Sequence, residues 1–580
     1  MSGSPRARAG WQKVLPIVQW GAQYNRQQAF SDLTAAIIVT LMLVPQALAY
    51  AMLSGLPPEV GLYASMLPLV AYALLGTSGT LAVGPVAVAA LMTASAIAPF
   101  SAQDPALGLQ AAVILACISG LFLLLAGLFK LGFLANFLSH PVIAGFIAAA
   151  SVLIATSQLP TLLGIDAHGD NLTDLWLSIS AHLHQWHPAT ALFSAGTIAL
   201  LVLTRLYGTR CLQQWGFNPF WAQTLSRAVP AMLVIAGTLA MHTHLPGLAE
   251  IKTVGHIPAG LPDLALPTMS PSLWQALLMP AIMISIVGYV ESISVAQNLA
   301  MKRRERVRPD QELIALGVAN LAASISAGQP VTGGVSRSVV NMDAGAQTPA
   351  AGLMTAIGML LATVFLAGWL SELPRLILAA SIVVAVLSLF DLSVFFHTWQ
   401  RNRSDFVALL MTFAITLFIN VETGISAGVL LSIGLHLYRS SRPHMAIVGQ
   451  VPGTEHFRNV DRHQVALCPD VVTLRIDESL YFANARYLEQ KVLEIVADTP
   501  TLKHLVLMCS AVNAIDGSAL EVLEMINAHL QSLGIGFHLS EVKGPVMDIL
   551  QRSHLPERLN GHIYLTQFKA YEALACFQPT

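Results

Sequence analysis

The stretch GQPVTGGVSRSVVN, residues 328–341, decides the fold together with an earlier counterpart, TLAVGPVAVAALM, residues 80–92. In each stretch, glycine and proline stand directly before a short run of small residues that predicts a helix. Neither run reaches the roughly 20 apolar residues that a membrane-spanning helix needs. Broken helices at corresponding positions of two halves of a chain indicate a binding site near the middle of the membrane. The alternative is that both stretches are flexible loops between ordinary helices.

The apolar runs around these stretches predict an α-helical membrane protein with about fourteen segments. The two short stretches are then the third and the tenth segment, which are equivalent positions in two halves of seven segments. The predicted segments lie near residues 32–54, 58–76, 84–98, 108–129, 134–157, 190–206, 225–243, 272–300, 311–327, 336–345, 350–369, 374–391, 405–420 and 422–438.

The charges of the loops predict the orientation, because Lys and Arg collect on the cytoplasmic side. The loop after the eighth segment reads MKRRERVRPD (301–310), whereas the loop 158–189 contains no Lys or Arg. An N-terminus in the cytoplasm satisfies both observations. We therefore expect a multi-pass protein of the inner (plasma) membrane with both termini in the cytoplasm.

The composition separates the chain into a membrane part and a soluble part. Only 11% of the 580 residues are charged, against about a quarter in soluble proteins. Residues 1–444 carry 20 Lys and Arg and 17 Asp and Glu, whereas the shorter tail carries the remaining 10 and 15. We predict a cytoplasmic N-terminal segment (1–27), a transmembrane transport domain (28–444) and a cytoplasmic domain (445–580). The net charge of −2 makes nucleic acid an improbable partner.

The starts of the two half-helices predict an anion site. Free amides and the positive end of a helix dipole favour negative charge. Arg337 lies at the start of the second half-helix, between Ser336 and Ser338. Its guanidinium suits a planar or tetrahedral oxyanion. The alternative is that Arg337 neutralises Glu291 and that the two serines only cap the helix.

Two other polar residues stand inside predicted segments. Glu291 lies in the middle of the eighth segment, where a carboxyl group usually faces a cavity and has a function. We expect it to take up and release a proton during transport; the alternative is a structural bond between helices. Gln46 follows Pro45 in the first segment, and we expect its amide to line the cavity.

Catalytic and metal chemistry find little support in the sequence. His182, His184 and His187 are close together, but no carboxylate or thiol stands beside them, so a solvated cluster is the preferred interpretation. No phosphate-binding loop, nucleophile elbow or zinc-protease motif is present. The sequence therefore predicts no enzyme, no metal and no cofactor.

The soluble tail alternates apolar strands with helices. VVTLRID (471–477) and HLVLMCS (504–510) predict buried strands. ARYLEQKVLEIVAD (485–498) predicts an amphipathic helix, and AIDGSALEVLEMINAHLQSLG (514–534) begins with the capping candidates Asp516 and Ser518. The tail is thus predicted to be a small α/β domain.

Several long motifs resemble those of the sulfate permease (SulP) family of anion transporters. They are VPQALAYAMLSGLPPEVGLYAS (44–65), AVGPVAVAALM (82–92), VGHIPAGLP (254–262) and VTGGVSRSVVNMDAGAQTP (331–349). The resemblance implies two inverted seven-segment repeats and an elevator mechanism, in which a core domain (segments 1–4 and 8–11) moves against a gate domain (segments 5–7 and 12–14). A homodimer is also implied.

The resemblance also implies roles for individual residues. The anion would bind between Gly84, Pro85, Val86 and Ala87 on one side and Ser336 and Arg337 on the other, with Gln46 beside them. Glu291 matches the acidic residue associated with proton coupling in the symporters of the family. This match favours symport over exchange.

The tail resembles the STAS domain of sulfate permeases and anti-sigma-factor antagonists, through SLYFANARYLEQ (479–490) and IDGSAL (515–520). In the antagonists the serine at the position of Ser518 is phosphorylated, which makes Ser518 a possible regulatory site. Ala519 follows it here, where the antagonists have glycine, and helix capping is the alternative. A cytoplasmic partner of this domain is a further possibility.

The first function hypothesis is therefore proton-coupled uptake of a small oxyanion, with sulfate as the default substrate. Exchange or channel activity for bicarbonate, chloride or C4-dicarboxylate is the main alternative. Sodium-coupled symport is another, because backbone carbonyls can supply its ligands. A third hypothesis, a membrane-anchored signalling protein, does not explain the pair of half-helices.

Overall fold

Most helices of the first half begin where the sequence supplies a cap or a proline. The computed structural model describes residues 15–133, 139–167, 169, 171–241, 251–258, 260–262, 264–387 and 390–574. Asn25 and Gln28 form a reciprocal capping box at the start of the first long helix, with contacts of 2.9 and 3.1 Å. Up to residue 241 the elements are α1 (Ile17–Ala22), α2 (Arg26–Leu53), α3 (Pro58–Tyr63), α4 (Leu67–Leu75), β1 (Val83–Gly84), α5 (Ala87–Ser101), α6 (Pro105–Leu128), α7 (His140–Leu163), α8 (Leu172–His182), α9 (Pro188–Leu203), α10 (Thr209–Gln214) and α11 (Pro219–Met241).

The second half repeats this order of elements. It begins with a long helix, continues with a shorter one, and then places a two-residue strand before a short helix. Its elements are α12 (Pro271–Arg303), α13 (Pro309–Ile325), β2 (Thr332–Gly333), α14 (Val335–Asp343), α15 (Ala350–Leu370), α16 (Arg375–Leu387), α17 (Leu392–Arg401), α18 (Arg403–Phe418) and α19 (Val421–Ser441).

The described elements confirm the predicted class of fold. Each of the fourteen predicted segments overlaps a helix, although residues 134–138, 242, 243, 388 and 389 of these segments lie outside the described part. Within the described residues, nine helical spans are long and apolar enough to cross a membrane. The third and tenth segments are α5, with 15 residues, and α14, with 9 residues. Both half-helices are therefore present where the glycine and proline pattern predicted them.

β1 and β2 join the two halves of the membrane part. They pair antiparallel, with Val83 opposite Gly333 and Gly84 opposite Thr332. Each strand runs within three residues into its half-helix. This two-stranded sheet therefore brings the starts of α5 and α14 together from opposite ends of the chain.

Small residues allow the helices around this sheet to pack closely. A Cβ atom at Gly120 of α6 would lie 2.9 Å from the carbonyl oxygen of Gly317 in α13. The reverse substitution at Gly317 would produce the same distance to the oxygen of Gly120. Backbones in contact through small residues are a common way of packing membrane helices. The close contact holds α13 beside the sheet, where its Asn320 bonds to the backbone of Val331.

The chain divides into two compact units, Met1–Leu431 and Ser432–Thr580. The elements of the second unit are β3 (Met445–Gln450), β4 (Phe457–Asn459), β5 (Val471–Ile476), α20 (Ala485–Asp498), β6 (His504–Met508), α21 (Gly517–Ser532), β7 (Gly536–Ser540), α22 (Gly544–Arg552), α23 (Leu555–Arg558), β8 (Ile563–Tyr564) and α24 (Gln567–Ala573). The strands form a six-stranded sheet in the order β4-β3-β5-β6-β7-β8, in which β5 to β8 run parallel. The strands and helices predicted in the tail are all present.

Candidate functional site

The starts of α5 and α14 face each other across the two-stranded sheet. Their N-cap residues are Val86 and Gly334, and neither helix has a side-chain hydrogen bond at its cap. The first amides of a helix have no partner within the helix itself. Two sets of such amides, each at the positive end of a helix dipole, therefore lie on either side of one small region.

Arg337 occupies the region between the two half-helices. Its side chain is 2% exposed, and Nη1 donates a hydrogen bond to the carbonyl oxygen of Pro85 at 2.7 Å. Nε and Nη2 are buried and have no hydrogen-bond partner among the described residues. A buried charged donor without a partner is costly, and an anion bound in this region would remove that cost. The guanidinium is thus placed with two donors available to a ligand.

Glycine makes room for this guanidinium on both sides. A Cβ atom at Gly84 would lie 3.3 Å from Nη2 of Arg337, and a Cβ atom at Gly334 would lie 3.1 Å from it. Larger residues at these positions would push the side chain away from the two helix starts. The glycines of the quoted stretches therefore have a role beyond breaking the helices.

The structure separates the roles of the two predicted serines. Ser336 is exposed at the start of α14. Ser338 is buried, and its Oγ accepts a hydrogen bond from the amide of Ala82 at 2.9 Å and donates to the carbonyl oxygen of Gly334 at 2.7 Å. Ser338 therefore extends the pairing of β1 and β2. Ser336 is the serine whose exposed hydroxyl is available to a ligand.

The predicted residues on the other half-helix lie together. Gly84, Pro85, Val86 and Ala87 are all buried, and they form the end of β1 and the start of α5. Gln46 lies on α2 and is half-buried. It makes no hydrogen bond to the starts of either half-helix in the described part of the chain.

Glu291 lies on α12 and lines a small cavity of about 20 Å³. The other walls of this cavity are apolar and come from α5, α7, α12 and α19. They include Val88, Val142, Phe146 and Ile425. Glu291 forms no hydrogen bond and no ion pair with any described residue, and no N–O contact within 4.0 Å joins it to Arg337. The carboxyl group is therefore held against an apolar surface.

Tyr50 is a neighbour of the site that the sequence analysis missed. It interacts electrostatically with both Arg337 and Glu291. Tyr50 follows Gln46 by four positions on α2, so both side chains project from one face of that helix. This spacing was the signal that could have identified it.

Other predicted residues have local structural roles. Asp516 caps α21, because its Oδ1 accepts a hydrogen bond from the amide of Ala519 at 2.8 Å. The interpretation of Ser518 as the cap is therefore wrong, and its side chain is exposed. His187 caps α9, with its Nδ1 at 2.8 Å from Oγ1 of Thr190.

Comparison with known proteins identifies the family. Residues 30–412 match the sequence profile described as the sulfate permease family. The chain belongs to the sulfate permease family. Residues 464–570 of the chain match the STAS domain.

Similar proteins of the family come from plants and bacteria. The chain is 33% identical over 560 residues to the chloroplastic sulfate transporter 4.1 of Arabidopsis thaliana, covering 94% of the chain and 80% of the relative. It is 33% identical over 569 residues to a probable sulfate transporter of Mycobacterium tuberculosis, covering 97% and 98%. These matches extend through both units of the chain.

Solved structures have the same fold. The chain matches murine Solute Carrier 26 family member A9, an anion transporter solved in the inward-facing state, with a TM-score of 0.88 and 23% identity over 100% of this chain and 96% of the other. The transmembrane domain of the cyanobacterial bicarbonate transporter BicA matches 71% of the chain and 99% of its own length, with a TM-score of 0.59 and 21% identity. The family profile and the curated relatives show that the chain is a multi-pass membrane transporter of an anion-transporting family, and not an enzyme.

Proposed function

We propose that this sulfate permease takes up a small oxyanion, sulfate by default, together with protons. The observation that carries the proposal is the buried guanidinium of Arg337, whose Nε and Nη2 lack partners in the described chain between two uncapped helix starts. One full positive charge and two helix dipoles suit an anion. The names of the plant and bacterial relatives support sulfate as the first anion to test.

The position of Glu291 suggests how protons would drive the movement. Its cavity is lined by α5 and α12, which the family resemblance assigns to the core domain, and by α7 and α19, which the resemblance assigns to the gate domain. The walls on the gate side are apolar, and an ionised carboxylate is costly against such a surface. In the proposed elevator cycle, the core domain therefore slides past the gate domain only after Glu291 has taken up a proton.

The proposed cycle uses no covalent step. The anion displaces water from the starts of α5 and α14 and accepts hydrogen bonds from their amides and from Arg337. Protonation of Glu291 then removes the negative charge beside the bound anion. Anion binding and protonation therefore favour the same state, in which the anion and the proton are both bound. Release of the anion and of the proton on the cytoplasmic side completes uptake. Arg337 and Glu291 thus act together, one on the substrate and the other on the coupled ion.

The proposal includes the cellular arrangement expected from the sequence. Lys302 and Arg303 lie in the last turn of α12, which supports a cytoplasmic end for this helix. We place the protein in the inner (plasma) membrane, with both termini in the cytoplasm and as a homodimer. The exposed hydroxyl of Ser518 would be accessible to a kinase, and the STAS domain would bind the regulatory partner.

The first experiment measures uptake of labelled sulfate into proteoliposomes, with an inward proton gradient and without one. Fumarate, bicarbonate and chloride serve as competitors, and Glu291→Gln serves as the matched variant. Sulfate accumulation that depends on the gradient in the parent, but not in the variant, supports the proposal. If the gradient drives uptake of a competitor and not of sulfate, that competitor is the substrate. If only a sodium gradient drives uptake, sodium and not the proton is the coupled ion. Flux that ignores both gradients would favour exchange or a channel.

A further inference from the structure

The outer edge of β2 is bound by side chains, where a larger sheet would have a third strand. The amide of Val331 donates to Oδ1 of Asn320 at 2.9 Å, and the carbonyl oxygen of Val331 accepts from Nδ2 of Asn320 at the same distance. Two positions later, the amide of Gly333 donates to Oγ of Ser292 at 2.8 Å. Alternate residues of a strand present their backbone groups to the same edge. Asn320 and Ser292 together therefore take the place of the missing strand.

The hydroxyl groups beside this edge form a closed network. Oγ of Ser292 lies 2.6 Å from Oγ1 of Thr332, and each hydroxyl also lies 2.6 Å from the carbonyl oxygen of Gly288. Ser292 has one hydroxyl proton, which it donates to an oxygen atom of this network. Its Oγ also accepts a hydrogen bond from the amide of Gly333. Removal of the hydroxyl would leave that buried amide without a partner.

The network connects two parts of the proposed transport site. Ser292 follows Glu291 directly on α12, while Gly333 precedes Gly334, the N-cap of α14. Arg337 lies within the first turn of that helix. One hydroxyl thus links the helix of the proposed proton acceptor with the backbone that presents the anion-binding groups.

Among the described residues, no side chain other than Asn320 and Ser292 bonds to the outer-edge backbone groups of Val331 and Gly333. Ser292, Asn320 and Thr332 are at most 3% exposed, so water does not compete for their hydrogen bonds. A cavity of about 10 Å³ adjoins the edge, which is at most the space of about one water molecule. Polar residues in its lining include Ser119, Ser285, Asn320 and Thr332. The outer edge of β2 is therefore held by side chains of α12 and α13, while its inner edge pairs with β1.

We infer that Ser292, Thr332 and Asn320 are positioning residues of the anion site. They hold β2 so that the start of α14 and Arg337 point at the anion, and they do not contact the anion themselves. This inference rests on the proposed function, because it assigns these residues a role in the affinity of that site.

The test compares Ser292→Ala and Thr332→Val with the conservative variant Thr332→Ser, which keeps the hydroxyl. Ser324→Ala is the matched control. Ser324 is a buried serine of α13, and its Oγ donates to the carbonyl oxygen of Val113 at 2.9 Å, away from β2. All variants are full-length proteins in nanodiscs, and their melting temperatures identify any general loss of folding.

The first measurement is hydrogen exchange of the peptide 328–335 without added anion. We expect faster exchange in Ser292→Ala and Thr332→Val, and exchange like that of the parent in Thr332→Ser and Ser324→Ala. Unchanged exchange in Ser292→Ala would overturn the inference, because the amide of Gly333 would then not depend on this hydroxyl. Equal acceleration in Ser324→Ala would also overturn it.

The second measurement is the affinity for labelled sulfate. We expect the Kd of Ser292→Ala to rise about tenfold, the effect of one lost buried hydrogen bond. Faster exchange with an unchanged Kd would reject the positioning role while leaving the proposed function intact. A parent protein that binds neither sulfate nor any of the competitors would instead reject the proposed function, and this inference with it.

Discussion

The guanidinium of Arg337 donates from Nη1 to the carbonyl oxygen of Pro85 at 2.7 Å, across 252 positions of the chain. This hydrogen bond joins the start of the second half-helix to the last residues before the first. It uses one nitrogen atom of the guanidinium and leaves Nε and Nη2 without partners in the described part of the molecule. The side chain is therefore fixed in place and still able to bind a ligand.

Replacement of Arg337 is expected to weaken anion binding. Arg337→Ala removes the charge, and Arg337→Lys keeps the charge but loses the planar pair of donors. We expect the Kd for labelled sulfate to rise at least tenfold in Arg337→Ala and by a smaller factor in Arg337→Lys. Arg375→Ala is the control, since Nε of Arg375 donates to the carbonyl oxygen of Thr253 and does not reach the site. An unaltered affinity in Arg337→Ala would remove this residue from the anion site.

A methyl group at Gly334 is expected to displace the guanidinium. Its Cβ atom would lie 3.1 Å from Nη2 of Arg337, which is closer than an ordinary van der Waals contact. We expect Gly334→Ala to raise the Kd for sulfate several-fold with little change in melting temperature, because only the ends of two side chains move, those of Arg337 and of Val86, whose Cγ1 would lie 3.2 Å from the added Cβ atom. Gly368→Ala is a suitable control, because nothing lies within 4 Å of its added Cβ atom. Equal affinity of the two variants would show that Arg337 binds from another position.

Neutralisation of Glu291 is expected to uncouple transport from protons. In Glu291→Gln, the core domain would pass the apolar walls of the cavity without taking up a proton. We expect accumulation driven by a proton gradient to disappear, while exchange of labelled for unlabelled sulfate across the membrane continues. Glu422→Gln, at another half-buried carboxyl of the membrane unit, should keep the gradient dependence. An unchanged pH dependence in Glu291→Gln would exclude the coupling role.

The sequence predicted the fold well because its signals are local. Apolar runs reveal membrane helices, and the glycine and proline residues near positions 84 and 334 reveal where two helices break. Arg337, Glu291 and the tail strands could be predicted for the same reason. A charged residue within an apolar run, or an apolar strand, can be recognised from the sequence without knowing what it contacts. The class of fold followed from these features together with the family motifs.

The contacts of the site were less predictable, because they depend on how the elements pack together and not on the local sequence alone. Nothing near Asn320 in the sequence indicates that its amide pairs with the backbone of Val331. The division of roles between Ser336 and Ser338 depends on which face of α14 meets β1. Tyr50 shares a helix face with Gln46, but its position near Arg337 depends on how α2 packs beside the half-helices. Pairing of β1 with β2 across two halves of the chain sets the contact of Ser338 with Ala82.

A group of histidines in the STAS domain gives the last prediction. Nε2 of His538 lies 3.1 Å from Nδ1 of His504, and Nδ1 of His538 accepts a hydrogen bond from the amide of His562 at 3.0 Å. These contacts require the neutral form of His538, with its proton on Nε2. Burial, followed by the neighbouring His504 and His562, lowers the pKa of His538 to about 4. The side chain is therefore neutral in the folded domain at neutral pH.

The stability of this domain is expected to fall in mild acid. An unfolded histidine has a pKa of about 6.5, so between pH 6.5 and 4 the unfolded chain binds a proton that folded His538 does not bind. The contribution of His538 is thus fully favourable above pH 6.5 and decreases as the pH falls towards 4. Hydrogen exchange of the peptide 536–540 in the full-length protein, corrected for intrinsic rates at pH 7, 6 and 5, measures the effect. His538→Gln should flatten the dependence, whereas His529→Gln, at an exposed position of α21, should leave it as in the parent. A parent whose corrected exchange does not change over this range would show that His538 is protonated equally in both states.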